Sequence, residues 1–257
     1  MVRLTGSAAL RYEFCAVTDR GQVRANNEDS VAFHVPARLA LLADGMGGYN
    51  AGEVAAAMAT SLVGDELALW MAQWGEDAAL SGVRRALAAC IDGANRAILD
   101  ASLSNAAYAG MGTTLVVAAF HDTHLTLAHI GDSRCYRLRG GELQQITKDH
   151  SWLQEQIDAG FMTPQQAAVS GCRNLVTRAL GVDVIAEPDI NEFAVRPGDL
   201  FILCSDGLTD MVDDEDLASL ARMPIALEDK AQQMVSLANA LGGRDNVSVV
   251  LVQSAAA

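Results

Sequence analysis

Apolar positions along the chain fall into short unbroken runs that stop at an acidic residue. LALLAD ends at Asp44, LTLAHIGD at Asp132, LFILCSD at Asp206, and Asp245 opens DNVSVVLV. Runs of this length bounded by turn residues predict buried strands. Strands are expected over residues 11–18, 31–43, 113–120, 124–130 and 133–138, near 190–195 and 199–204, and at 246–252. A helical period takes over elsewhere. Leu80, Val83, Leu87, Ile91 and Ile98 make an apolar stripe within 77–100, and the Ala-, Met- and Leu-rich stretch 51–69 favours a helix. Short helical pieces are expected within 149–169, broken at Thr163-Pro164, and longer helices near 213–221 and 227–240. Closely spaced turns between 113 and 138 predict hairpins and an antiparallel sheet. Strands in blocks with helices in blocks between them fit α+β layering better than βαβ alternation. No linker, internal repeat or low-complexity tract interrupts the pattern, so residues 1–257 read as a single domain.

Composition narrows the class of partner. The chain is 51% apolar and carries a formal charge of −14, from 18 Lys plus Arg against 32 Asp plus Glu. Such acidity repels nucleic-acid backbones, and Arg134, Arg137 and Arg139 are too sparse to make a basic patch. Cys15, Cys90, Cys135, Cys172 and Cys204 are odd in number, widely spaced and contain no C-x-x-C pair. They point to reduced thiols in a cytoplasmic protein, and away from a disulfide frame or a structural zinc. No signal-peptide h-region and no continuous apolar span of membrane length is read from the sequence, so no membrane association is expected.

The candidate chemistry lies in the acids. An ionised carboxylate at the rim of a packed sheet loses solvation and needs a compensating cation or hydrogen bonds. Several converging at one rim form a nest of hard oxygen ligands, which Mg²⁺ and Mn²⁺ favour. Taken singly, the Asp44-Gly45 and Asp206-Gly207 pairs read as turn chemistry, because Gly accepts φ > 0. They gain weight because Asp44, Asp206 and Asp245 can all end at the same edge of a sheet. Glu28 and Asp29 add two acids in a polar loop that also holds Arg24 and Asn27, although adjacent acids most often mark a solvated turn. His121 and His124 read as exposed residues of a hairpin turn, and Met111 and Cys204 as core.

The order RANNED, ADGMGG, GMGTT, IGDSRCY, SDGLTD and GGRDNVSVV resembles the PPM family of metal-dependent Ser/Thr protein phosphatases (type 2C) in its bacterial form. The likeness runs from about residue 11 to 252, and the motifs are specific jointly rather than singly. It implies a four-layer αββα sandwich with two Mn²⁺ or Mg²⁺ ions at one end of the sheets. By the same resemblance Asp44 bridges both ions, Gly45 gives its carbonyl to the first, and Asp206 and Asp245 bind the second. Asp132 matches the ligand of a weaker third ion shared with Asp206. Glu28 and Asp29 match the pair that holds metal-bound waters, and Arg24 the arginine that grips the phosphate. The implied activity is hydrolysis of phosphoserine and phosphothreonine in proteins by a metal-bridging hydroxide. Implied partners are a bacterial Hanks-type kinase or its substrates, such as forkhead-associated-domain proteins.

Two departures from the family pattern stand out. Met46 occupies the place of a histidine that many eukaryotic members have after the Asp-Gly pair, and it has no proton to donate. Residues 149–178 resemble the flap over the site, with Ser170-Gly171 where His-Pro is often found. Two rival readings remain. A PPM-fold pseudoenzyme acting as a binding module would be expected to lack metal ligands. A small-molecule phosphohydrolase with a nucleophilic Asp needs D-x-D, and neither Asp44 nor Asp206 has an acid two positions on.

Overall fold

The computed structural model describes residues 10–47, 51–74, 79–168, 170 and 175–257. Gly48, Gly171 and Cys172, singled out in the sequence, lie outside the described residues. In chain order the elements are β1 (Leu10–Asp19), β2 (Asp29–His34), β3 (Leu39–Met46), α1 (Gly52–Trp74), α2 (Leu80–Ser104) and β4 (Gly112–Thr113). β5 (Leu115–His121), β6 (His124–Ile130), β7 (Arg134–Arg139), β8 (Glu142–Gln145), α3 (Trp152–Asp158) and α4 (Pro164–Ala168) follow. The chain closes with β9 (Asp189–Ala194), β10 (Leu200–Cys204), α5 (Asp206–Thr209), α6 (Asp214–Arg222), α7 (Leu227–Ala240) and β11 (Val247–Ala256). One sheet runs β1-β11-β10-β7-β8 and the other β2-β3-β5-β6-β9, with β4 paired to the end of β3. All of these pairings are antiparallel.

Side-chain parity builds the layers. β3 sends Leu39, Leu41 and Ala43 outward to α1 and α2, and Ala40 and Leu42 inward to the facing sheet. In β11, Val247, Val249 and Leu251 pack with residues of α6 and α7, while Val250 and Val252 enter the space between sheets. The central strands are therefore covered on both faces, which is why they read as unbroken apolar runs although the sheets are antiparallel. The result is the expected α+β sandwich of four layers, helices outside and two sheets within. Parity also directs acids. Asp44 shares the phase of Ala40 and Leu42, and its register partner Asp29 shares that of Val31, so both side chains enter the inter-sheet space where its apolar filling ends.

Several expectations are corrected. The single strand expected over 31–43 is a hairpin, because Pro36 cannot donate to a ladder and Arg38, at φ 55° with its N–H on the Val35 carbonyl, reverses the chain. β8 was not expected, although Gly140-Gly141, with φ 58° and 88°, is a two-residue turn signal. His121 and His124 flank a tight turn as expected, but His121 is buried. Contrary to the sequence expectation, α1 is long and apolar enough to cross a bilayer by length and composition. Its Ala55, Ala59, Val63 and Leu67 are buried in the core that joins it to α2 and the sheet. Met111 and Cys204 are core residues, and the described cysteines Cys15, Cys90, Cys135 and Cys204 are unpaired and buried.

Between the sheets, Phe120 and Phe201 are fully buried and meet edge to face with centroids 5.3 Å apart. Phe201→Ala is expected to cost about 3–5 kcal/mol, the range for emptying a close-packed core site. Urea unfolding would check it, and a loss below about 1 kcal/mol would mean the sheets are not tightly packed there.

Candidate metal centre

Asp44 stands at the end of β3, where its main chain is clamped from the β4–β5 side. Its N–H donates to Thr114 Oγ1 at 3.0 Å, and its carbonyl accepts from Thr114 N–H and Thr113 Oγ1, each at 2.9 Å. Gly45 follows, its N–H on the Glu28 carbonyl at 3.1 Å. A Cβ on Gly45 would come within 2.2 Å of the Gly52 carbonyl oxygen, so no other residue fits. Gly207 is equally confined, since a Cβ there would lie 1.9 Å from the Asn246 carbonyl oxygen. Neither glycine has positive φ. Close backbone approach explains both Asp-Gly pairs, where the sequence offered turn conformation.

The remaining acids arrive from several directions. Asp29 opens β2 opposite Asp44, and its Oδ2 accepts from Ser205 Oγ at 2.9 Å across the gap between sheets. Asp206 follows Ser205 as the first residue of α5, and Asp245 precedes β11. Asp132 lies on the β6–β7 turn, where Ser133 Oγ meets Thr114 Oγ1 at 2.8 Å. Asp44, Asp206 and Asp245 thus do not share one sheet edge, as the sequence expected. They face one another across two sheets. Glu28 turns toward Gly52 at the start of α1. Arg24 Nη2 contacts Asp245 Oδ2 at 2.5 Å.

Electrostatics shows that these acids share one space. Burial pushes the Asp44 carboxyl well above the usual range, and the charges of Asp29, Asp206, Asp132 and Asp245 push it further. Asp206 is raised to about 8 by burial first, then by Asp132, Asp245, Asp210 and Asp29. Burial is also the first cause for Asp29 and Asp132, each raised to about 6. Glu28 is raised by burial and held back by Arg24. The eight candidate site residues lie in this region: Arg24, Glu28, Asp29, Asp44, Gly45, Asp132, Asp206 and Asp245.

Residues outside the candidate set pin the loops. Asn246 accepts from Glu28 N–H at 2.8 Å, donates to the Arg20 and Asn26 carbonyls at 2.9 and 2.8 Å, and its own N–H donates to Asp245 at 2.9 Å. It ties the RANNED loop to the start of β11. Ser205 accepts from Ser248 N–H at 3.0 Å while donating to Asp29. Both residues stand beside a candidate ligand inside a quoted motif, which was the available signal.

The donors here are carboxylate oxygens with the Gly45 carbonyl beside them, a hard set suited to Mg²⁺ or Mn²⁺. Asp29 Oδ1 is buried without a hydrogen-bond partner, as an oxygen awaiting a cation or its water would be. The residues present therefore fit divalent ions.

Comparison with known proteins agrees. A family model described as protein phosphatase 2C matches residues 19–242. The chain is 42% identical over 252 residues to the serine/threonine protein phosphatase PstP of Mycobacterium tuberculosis, covering 98% of this chain and 46% of that protein. It is 37% identical over 243 residues to the protein phosphatase PhpP of Streptococcus pneumoniae, covering 93% and 96% of the two. The chain thus spans about half the length of one relative and nearly all of the other. A crystal structure of the PstP catalytic domain in complex with two manganese ions superposes with a TM-score of 0.83 at 39% identity, covering 96% of this chain and 99% of that one. With its two-sheet sandwich, its converging acids and these matches, the chain belongs to the protein phosphatase 2C family, the PPM phosphatases, in its bacterial form.

Proposed function

We propose that this domain hydrolyses phosphoserine and phosphothreonine in proteins with the help of two divalent ions, Mn²⁺ or Mg²⁺. Asp44, the Gly45 carbonyl, Asp206 and Asp245 would hold the two ions, and Asp132 with Asp206 would hold a third. The observation that carries this reading is the set of partly buried acids that raise one another's pKa at one end of the sandwich. PstP and PhpP are named protein phosphatases, and the PstP catalytic domain holds two manganese ions, which supports the same reading.

When bound, such ions lower the pKa of an attached water and offset charge on the phosphoryl oxygens. The chain's own residues do the rest. Arg24 has the planar donor fork that suits phosphate, and its side chain is 54% exposed, so it reaches a substrate while touching Asp245. Asp29 and Glu28 accept hydrogen bonds from water around the centre. Met46 has no proton to give, so the leaving alkoxide is protonated by solvent in the site. A catalytically silent binding module is the weaker reading, because no acid of the set is missing. Phosphoserine and phosphothreonine are products of protein kinases, and we assign the domain to reversing such a kinase in signal transduction. A Hanks-type kinase or its forkhead-associated-domain substrates fit that chemistry. Unpaired buried cysteines favour the cytoplasm as its compartment.

Hydrolysis of a phosphothreonine peptide and of p-nitrophenyl phosphate is expected with Mn²⁺ and lost with EDTA; metal-independent turnover would overturn the proposal. Asp206→Asn is expected to lower turnover at least about 100-fold, since even outer-shell partners of metal ligands cost 10–100-fold. Arg24→Ala should chiefly raise KM, and a pure kcat loss would count against a ground-state grip on phosphate. The raised carboxyls also set a pH dependence. Folded metal-free protein keeps a proton on Asp206 up to about pH 8, whereas the unfolded chain releases it near 3.8. Its stability is therefore lost as pH rises toward 8. Buried His129 has its pKa lowered from 6.5 and acts below that value, in the opposite sense. Between pH 6.5 and 8 the Tm of EDTA-treated protein should then fall, and Asp206→Asn should flatten the slope. A slope unchanged by that substitution would show that Asp206 is not buried among like charges.

A further inference from the structure

His129 on β6 and His150, just before α3, bring their rings to 4.7 Å between centroids with planes 17° apart. Asp189, the first residue of β9, is the register partner of His129. One candidate ligand atom from each of these three residues lies within 4.8 Å of the other two. The histidines are only 2% and 6% exposed; His129 Nδ1 is buried without a hydrogen-bond partner, and His150 Nε2 lies 3.6 Å from Asp189 Oδ2. A cavity of about 150 Å³, lined in part by His150 and Asp189, gives access from solvent.

We propose that His129, His150 and Asp189 form a second metal site, for a borderline-soft divalent ion such as Zn²⁺, that clamps both ends of residues 150–189 to β6. Two imidazole nitrogens and one carboxylate suit Zn²⁺, whereas the carboxylate centre offers only oxygen. The cavity leaves room for a water as fourth ligand. His129 offers one ring nitrogen with no partner. Its Nε2 lies 2.8 Å from the Lys148 carbonyl, which only accepts, and 3.4 Å from the Lys148 N–H; the shorter contact puts the proton on Nε2 and leaves the lone pair on Nδ1. Burial lowers the pKa of both histidines, His150 to about 4, and keeps them in the neutral form that binds metal.

Three features oppose binding. His150 Nδ1 accepts from Gly131 N–H at 3.2 Å, which puts its proton on Nε2. Binding moves that proton to Nδ1 and gives up the Gly131 contact. Ligand atoms on a tetrahedral ion stand about 3.4 Å apart, so the three groups must draw inward. Arg178, 3.6 Å from Asp189, competes for the carboxylate. Binding would add a tie between His150, which precedes α3, and His129 on β6.

Zn²⁺ titration of the full Mg²⁺-saturated chain by calorimetry, with Co²⁺ absorption as a second readout, tests the site. Wild type is expected to take up one Zn²⁺ with a rise in Tm, and to give the intense visible bands of four-coordinate Co²⁺. His129→Gln keeps a donor for the Lys148 carbonyl, and Asp189 is half exposed, so His129→Gln and Asp189→Asn leave the fold intact. Each should weaken that uptake roughly tenfold or more, the scale on which even an outer-shell partner acts, whereas Asp206→Asn should keep it. No uptake by wild type would overturn the proposal. So would uptake lost in Asp206→Asn and unchanged in His129→Gln, because the ion would then sit at the carboxylate centre.

Discussion

Asp44 and Asp206 reach the same space from opposite sheets, with Asp29, Asp132 and Asp245 around them, each partly or largely buried. Repulsion among like charges in a poorly solvated space grows as the effective dielectric falls. The metal-free chain answers by holding protons at pH values where exposed carboxylates have lost them. A divalent ion offers the stronger remedy, since it supplies positive charge where the protein supplies little. Arg24 pairs with Asp245, at the exposed side.

Such an arrangement persists because the scaffold cannot relax around it. The sheets meet through close-packed apolar side chains such as Phe120, Phe201, Leu203 and Val250, and their strand ends are tied by short polar bridges. Ser205 crosses from one sheet to Asp29 on the other, Thr113 and Thr114 hold the main chain of Asp44, and Asn246 holds the loop bearing Arg24 and Glu28. Donors fixed in advance spare a site the cost of reorganising when charge develops, which suits phosphoryl chemistry.

The Asp132 turn is tied to another part of the chain. Arg134, two residues on, makes a bidentate pair with Asp149, and the His150 N–H donates to the Gly131 carbonyl at 2.9 Å. The acid expected to bind the weakest ion is therefore attached to the segment that leads into α3 and α4. Loss of the Gly131–His150 side-chain contact on binding a metal at His150 would be felt one residue from Asp132.

Strand positions and the identity of the acids were legible in the sequence, because a strand buried on both faces must be continuously apolar and a charge can appear only where it ends. The helical stripe of α2 was legible for the same reason, with Val83, Leu87, Ile91 and Ile98 all buried. The hairpin at Pro36 and the strand after Gly140-Gly141 were written in local turn residues but outweighed by the apolar run in one case and by polarity in the other. What no local pattern held was the pairing of distant segments. Gly45 and Gly207 are required by backbones from elsewhere in the chain, Asn246 and Ser205 act on loops far away in sequence, and His129 meets His150 only because β6 lies beside the start of that segment. Sequence alone determined which chemistry the chain carries, since side-chain charge and strand phase are local properties. Tertiary structure decided which atoms face each other, because only the packing of two sheets brings the ends of non-adjacent strands into one space.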